Sequence, residues 1–343
     1  MSRRYRLRQV DVFTDRPLAG NPLAVVLDAE GLSEAEMQSL AQEMNLSETA
    51  FVLPPTAKGR AAGADYRVRI FMPRRELPFA GHPVVGTAWV LADEGLLELA
   101  GETIEAHNEL GVGVLPLTIG RDPDGRVGEV TMTQGQPRLL ETLGPAETTE
   151  LARALEVEPQ ALGWPARAGE RAAVPPAELA PAREAGQAAA GIVGPPRVVS
   201  TGLPYLVVPF RELRAVAAVA AERGAAGAAI AGRHGCDSVA LVAPGSSGAV
   251  AGAAAHVRVL CDPATGVVED PATGSAAGPI AVYLGHLAGA RGIERRLVLE
   301  QGVEMGRPSR LEVRVDFDTA GVAGGVLLSG RVAPVFEGWL TLP

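Results

Sequence analysis

Short apolar runs broken by glycine and proline mark the first strands of this chain. VFTDRPLAGNPLAVVL at 12–27 holds two such runs hinged at Gly and Pro, and VVSTGLPYLVVPF at 198–210 holds two more; both read as hairpins. After each hairpin the pattern becomes helical. The first helix is well marked: Ser33 and Glu36 make a capping box, Leu32 and Met37 a hydrophobic staple, and Met37, Leu40, Ala41 and Met44 an apolar stripe. The second carries Leu213, Val216, Ala217 and Ala220. Each helix leads to one more strand, TAFVLP at 49–54 and VALVAP at 239–244.

The order then continues in parallel. VRIF at 68–71 precedes a loop and HPVVGTA from His82, while VRVL at 257–260 precedes a loop and DPATGSA from Asp270. Hairpin, helix, strand, strand, loop and apolar helix therefore occur twice, which predicts a duplicated unit and a pseudo-twofold. The helices expected to begin near Thr87 and Ser275 are apolar almost throughout (AWVLA and AAGPIAVYL), so each should run through the middle of its lobe with a sheet wrapped around it. The predicted fold class is α/β (α+β): two pseudo-symmetric lobes, each a curved, mostly antiparallel sheet around a central helix. The first lobe is expected over 1–127, completed by 330–343, and the second over 128–329. Residues 160–196, rich in Ala, Pro, Gly and Glu and poor in periodicity, read as a peripheral insertion.

Composition excludes several classes. The 343 residues exceed what one hydrophobic core of about 250 to 300 residues holds. With 47% hydrophobic and 21% charged residues the chain is not disordered as a whole, and its net charge of −9 would repel a polyanion, so nucleic acid is not an expected partner. No run approaches the roughly 18 uninterrupted apolar residues of a membrane span, and a soluble, cytoplasmic protein is expected. Cys236 and Cys261 are too few for a disulfide framework or a thiolate zinc site. Lys58, the sole lysine, lies in a polar loop, which leaves a pyridoxal phosphate enzyme without an anchor. The histidines at 82, 107, 234, 256 and 286 show no metal-binding spacing, and neither G-x-G-x-x-G in a strand-to-helix context nor a P-loop occurs. No metal and no cofactor are expected.

What remains is acid–base chemistry in the repeated loops. Gly86–Thr87 and Gly274–Ser275 each place a hydroxyl after a glycine at the expected start of a buried helix, where free N–H groups and the dipole suit an anion. Either hydroxyl alone could be a simple cap; the matched pair favours ligand binding. His82 and Asp270 occupy aligned loop positions and would converge on a shared cleft to orient a substrate or relay a proton. Glu48, in NLSETAFV, stands immediately before an apolar strand, where partial burial would raise its pKa and make it a usable acid and base; a water-exposed residue at a strand edge is the plainer alternative. Its repeat counterpart is Ser238, so one residue would both take and return the proton. Both cysteines belong to the second half, which disfavours a two-thiol epimerisation.

Taken in order, DVFTDRPLAGNPLAVVL, NLSETAFV, RELPFAGHPVVGTA, EDPATGSA and QGVEMGRPS resemble the PhzF family of phenazine-biosynthesis-like proteins over nearly the whole chain, least between 145 and 196. The resemblance implies a diaminopimelate-epimerase-like fold with the active site in the cleft between the lobes. It implies Glu48 as general acid/base, His82 and Asp270 as its polar partners, and Gly81, Gly274 and Ser275 as holders of the substrate carboxylate and nearby polar groups. The implied activity is a cofactor-independent isomerisation, a proton shift on a small, cyclic carboxylic acid, as in the phenazine-pathway member that isomerises a dihydro-hydroxyanthranilic acid. A homodimer is the family's usual state. Racemisation or epimerisation of an amino acid on the same fold, and a non-catalytic metabolite-binding homologue, are the competing readings.

Overall fold

A computed structural model describes residues 2–98, 101–165 and 192–343. Most of the insertion expected near 160–196 lies outside the described residues; on either side of it, the two-residue strands Trp164–Pro165 and Ile192–Val193 pair antiparallel. The chain forms two compact units, Met1–Thr133 with Ala264–Gly266 and Ser329–Pro343, and Gln134–Pro263 with Val267–Leu328.

In chain order the first unit comprises β1 (Arg3–Val12), β2 (Asn21–Leu27), α1 (Glu34–Met44), β3 (Glu48–Leu53), α2 (Ala57–Ala61), β4 (Tyr66–Phe71), β5 (Glu76–Leu77), α3 (Gly81–Asp93), β6 (Thr103–Leu110), β7 (Gly113–Arg121) and β8 (Val127–Thr133). The second continues with β9 (Arg138–Thr142), α4 (Pro145–Ala154), the two short strands above as β10 and β11, β12 (Arg197–Ser200), β13 (Pro204–Pro209), α5 (Leu213–Ala217) and α6 (Gly224–Gly232). It then runs through β14 (Ser238–Pro244), β15 (Ala255–Cys261), β16 (Glu269–Asp270), α7 (Gly274–Leu287), β17 (Ile293–Gln301), β18 (Ser309–Phe317) and β19 (Ala323–Gly330), whose last two residues count with the first unit, as does β20 (Val332–Leu342).

The duplication is visible in the pairing. β1 and β2 are antiparallel, β2 and β3 parallel, β3 and β4 antiparallel, and β4 pairs with β6 parallel. β12 to β15 and β17 repeat each of these relations in turn. Each unit closes its first strand with one from a different part of the chain: β1 pairs with β20, and β12 with β9.

Each sheet curls around an apolar helix. The first twelve residues of α3, Gly81 to Ala92, are all buried, and α3 packs on β1, β2, β3, β7 and β8. Gly274 to Gly285 of α7 are buried likewise, against β12, β13, β14, β17 and β18. The opposite face of the first sheet is covered by α1, so β2 is an almost unbroken buried run: Ala24 and Val26 meet Met37, Leu40 and Ala41 of α1, while Leu23 faces α3. The capping box of Ser33 and Glu36 forms as expected, and Leu32 and Met37 are buried in the same cluster.

The second repeat helix differs from expectation. Instead of one helix through Ala220, α5 stops at Ala217 and α6 starts at Gly224. The cause is Arg258, a buried guanidinium on β15 that donates to the carbonyls of Val216, Ala217 and Val219 and so takes over the acceptors of the last helical turn. The same guanidinium is held by two hydrogen bonds of 2.8 Å to Glu269.

Another buried network ties the second unit's loops. His256 lies between Glu300, 2.8 Å from Nδ1, and Glu304, 2.9 Å from Nε2, while Glu300 also accepts from Ser246 Oγ and the backbone N–H groups of Ser247 and Val250. Burial opposes the charge on His256, but the flanking carboxylates outweigh it and raise its pKa; the hydrogen bonds of Glu300 and Glu304 likewise overcome their own burial and lower theirs.

Two predictions follow from this packing. A methyl group on Gly86 would stand 2.6 Å from Leu23 Cδ2 and 2.7 Å from Val12 Cγ2, so Gly86→Ala should lower the unfolding free energy by about 1 to 3 kcal/mol in urea titration. A raised histidine pKa contributes stability below its ordinary 6.5 that fades as pH climbs through the folded value, and a lowered glutamate pKa contributes above 4.5 and fades as pH falls through its folded value. His256→Gln should therefore cost on the order of 3 kcal/mol near pH 6, with a smaller difference from the unaltered protein at pH 9. A pH-independent difference would contradict this account.

Candidate active site

The register of the first sheet decides which side chains meet α3. Val12 pairs with Asn21, Val10 with Leu23, and Leu23 with Glu48, so these residues share one face. That face is the inner one, because Gly86 of α3 packs on Val10, Val12 and Leu23. His82 lies one helical turn before Gly86 and reaches the polar end of the same stripe. Its Nδ1 is 3.2 Å from Asn21 Nδ2 and 3.5 Å from Glu48 Oε2.

Glu48 opens β3 three residues after α1 ends in a left-handed turn at Asn45 (φ 51°). Its side chain is 12% exposed and that of His82 only 3%, so the carboxylate is neither at a solvent edge nor sealed away. Burial pushes the His82 pKa down to about 3, which makes the imidazole neutral at physiological pH. A neutral imidazole beside a nearly buried carboxyl group can donate or accept a hydrogen bond.

The start of α3 corrects one expectation. The helix begins at Gly81, with His82 second and Pro83 third, so Thr87 is its seventh residue. Proline is tolerated in a first turn because the N–H it lacks would have no partner there, which allows the helix to begin ahead of it. Thr87 is buried in mid-helix, where its Oγ1 has no hydrogen-bond partner among the described residues, and its N–H is not one of the free helix-start donors. The structural match of Gly274–Ser275 is thus Gly81–His82. In both units a two-residue strand starts five residues before the helix, Glu76–Leu77 and Glu269–Asp270, which sets Asp270 against Leu77.

In the second unit Asp270, Gly274 and Ser275 stand together. Asp270 is buried, paired through β16 with Val259, and its Oδ2 accepts from Thr273 Oγ1 at 2.5 Å. Gln301 holds this turn from below: its Nε2 donates to the Asp270 carbonyl at 2.7 Å and to Thr273 Oγ1 at 3.0 Å, and its Oε1 accepts from the Thr273 N–H at 3.1 Å. Ser309 donates to the Pro271 carbonyl. Gly302 (φ +76°) lets the backbone pass so close that a Cβ there would lie 2.5 Å from the same oxygen. At the helix start, Gln134 Nε2 donates to the Gly274 carbonyl at 2.7 Å, and Tyr205 Oη lies 2.7 Å from Ser275 Oγ.

Asn21, Tyr205, Gln134, Thr273 and Gln301 were not singled out by residue pattern. Asn21 and Gln301 sit in AGNP and QGVEMGRPS, polar breaks beside apolar strands, and that oddity is the signal that could have found them. Burial lifts the Cys236 thiol to about 12, which leaves it unsuited to nucleophilic work. Among the described residues no group of three or more His, Cys, Asp or Glu side chains could hold a metal ion, and no helix is long and apolar enough to cross a membrane.

The sequence profile of the phenazine biosynthesis-like protein family matches residues 10–338. The chain is 34% identical over 337 residues to the trans-2,3-dihydro-3-hydroxyanthranilate isomerase of Pseudomonas aeruginosa, covering 97% of this chain and 98% of that protein. Its fold superposes on that of a Bacillus anthracis protein of the PhzF family with a TM-score of 0.78 at 26% identity, covering 99% and 100% of the two chains. A second structure, from P. aeruginosa and described as a predicted epimerase, gives a TM-score of 0.70 at 31% identity over 98% and 99% of the two chains. On these similarities and on the twice-used curled sheet, the chain is an isomerase that belongs to the phenazine biosynthesis-like (PhzF) family.

Proposed function

We propose that this isomerase moves a proton between carbons of a small, cyclic carboxylic acid, with Glu48 as the single group that takes the proton and gives it back, and with no cofactor. The observation that carries the reading is the setting of Glu48, a carboxylate 12% exposed on the inner face of its sheet with the neutral His82 ring 3.5 Å away. A proton shift needs a group that is basic in one half-reaction and acidic in the next, and one carboxyl group that exchanges with solvent between the two halves can remove a proton at one carbon and deliver one at another. His82 supplies a hydrogen bond to the reacting molecule, and Gly81 leaves room beside it. Gly81, Gly274 and Ser275 take the substrate's carboxylate and neighbouring polar groups, as free amides at a helix start suit an anion, and Asp270 is a polar partner in the proton transfer. The similarity to the dihydro-hydroxyanthranilate isomerase supports a substrate of that chemical class.

Epimerisation is a second reading, supported by the relative described as a predicted epimerase. It requires a proton donor on the face of the carbon opposite Glu48 and would invert an optically pure substrate. We further propose that the protein acts in the cytoplasm, which suits two buried cysteines that form no disulfide, and as a homodimer, the commonest closed assembly.

Incubation with trans-2,3-dihydro-3-hydroxyanthranilate in heavy water should move the double bonds and incorporate deuterium at one ring carbon by NMR, while Glu48→Gln slows the reaction about 100-fold or more. Equal rates in both proteins would rule out Glu48 as the acid/base. Light scattering should return twice the 35.5 kDa chain mass, and a chain-mass particle would overturn the dimer.

A further inference from the structure

Asn21 belongs to no motif that the reaction above uses, yet it is fully buried at the first position of β2 with its amide nitrogen 3.2 Å from His82 Nδ1. A neutral imidazole carries one proton, and its location is settled by the hydrogen bond made at the other nitrogen. The amide nitrogen of asparagine is only a donor. A donor facing Nδ1 requires a lone pair there, which leaves the proton on Nε2.

We infer that Asn21 is a positioning residue that fixes the His82 tautomer, with Nδ1 as acceptor and Nε2–H as donor. Three further observations bear on this. His82 Nε2 is buried and has no hydrogen-bond partner among the described residues, so the N–H so created is held in readiness for a bound molecule. The low pKa of the ring, set by burial, keeps it in the neutral form for which the choice of tautomer matters. The second unit repeats the device with different chemistry: there the second residue of the central helix, Ser275, is engaged at 2.7 Å by Tyr205, which stands near the start of the strand corresponding to β2.

The assignment changes what His82 does. With a lone pair on Nδ1, the nearby Glu48 oxygen is attracted to the ring when Glu48 carries its proton and is repelled when it does not. The ring then offers its hydrogen bond through Nε2. In the opposite tautomer Nδ1–H would hold Glu48 as a carboxylate, and Nε2 could no longer donate. This deepens the proposed reaction and rests on it for its catalytic consequence, but the tautomer itself is a property of the free protein.

The test is 15N NMR of the substrate-free, full-length protein labelled at histidine, with the His82 signals assigned by their loss in His82→Gln. We expect a pyridine-like Nδ1 and a pyrrole-like Nε2, unchanged from pH 5 to 8. In Asn21→Asp, where a carboxylate replaces the amide donor, the two signatures should exchange; in the nearly isosteric Asn21→Leu they should average toward a mixture. A pyrrole-like Nδ1 in the unaltered protein would overturn the inference even if neither variant folds, and signatures unmoved in a folded Asn21→Asp would do so as well. The outcome is independent of deuterium exchange: a correct tautomer with an unaffected Glu48→Gln rate would sink the proposed reaction and leave the role of Asn21 standing. If both hold, Asn21→Asp should lower kcat at least tenfold with KM little changed.

Discussion

A helix that is apolar on every side is stable in water only if something covers all of it. In each unit the sheet does so by curling around the helix, and most other features follow from that enclosure. The strands must be buried on their inner face, outer helices must cover the back, and glycine must appear where the helix presses hardest on its surroundings, as at Gly86 against Leu23 of β2 and at Gly278 against the loop residues Gln134 and Thr201. The enclosure has one unavoidable gap. The first N–H groups of a helix have no partner within it, and polar residues stand where α3 and α7 begin. Asn21, Glu48 and His82 gather at one end, and Gln134, Tyr205, Asp270, Thr273 and Gln301 at the other.

The duplicated frame carries unequal equipment. Arg69 on β4 is held by two hydrogen bonds to Glu76, and Arg258 on β15 by two to Glu269, so the turn before each central helix is fastened by the same pair. Beyond that pair the units diverge. Glu48 corresponds in register to Ser238, and His82 corresponds to Ser275 at the helix start. One half of the duplication keeps a carboxyl group beside an imidazole; the other keeps hydroxyls and amides around the Asp270 carboxylate. That division suits a reaction in which one group handles the proton.

How far the sequence could be read depended on distance along the chain. The cap and staple of α1 were legible because Ser33, Glu36, Leu32 and Met37 act within a few residues of one another, and the duplication was legible because hairpin, helix and strand recur in the same order. The start of α3 was misjudged because Pro83 reads as a loop residue, although the first turn of a helix accommodates it. The break after α5 could not be seen locally, since its cause, Arg258, is a strand residue from a later part of the chain. For the same reason Gln301 looked like part of a motif and not like the clamp on Asp270, which lies 31 positions away. Contacts that cross a curled sheet leave little trace in spacing.

The exchange of edge strands has a consequence for synthesis. The partner that completes β1 is β20, at Val332–Leu342, whereas β9, the partner of β12, is made just after the first unit's last contiguous residue, Thr133. At about 5 to 20 residues per second, the ribosome needs roughly 10 to 40 s to go from Thr133 to Val332. For that interval the nascent first half waits with an open edge while its twin, which carries its own closing strand from the outset, can finish. The half bearing Glu48 is thus the last to be sealed, and a chain released early would lack the strand that closes its first sheet.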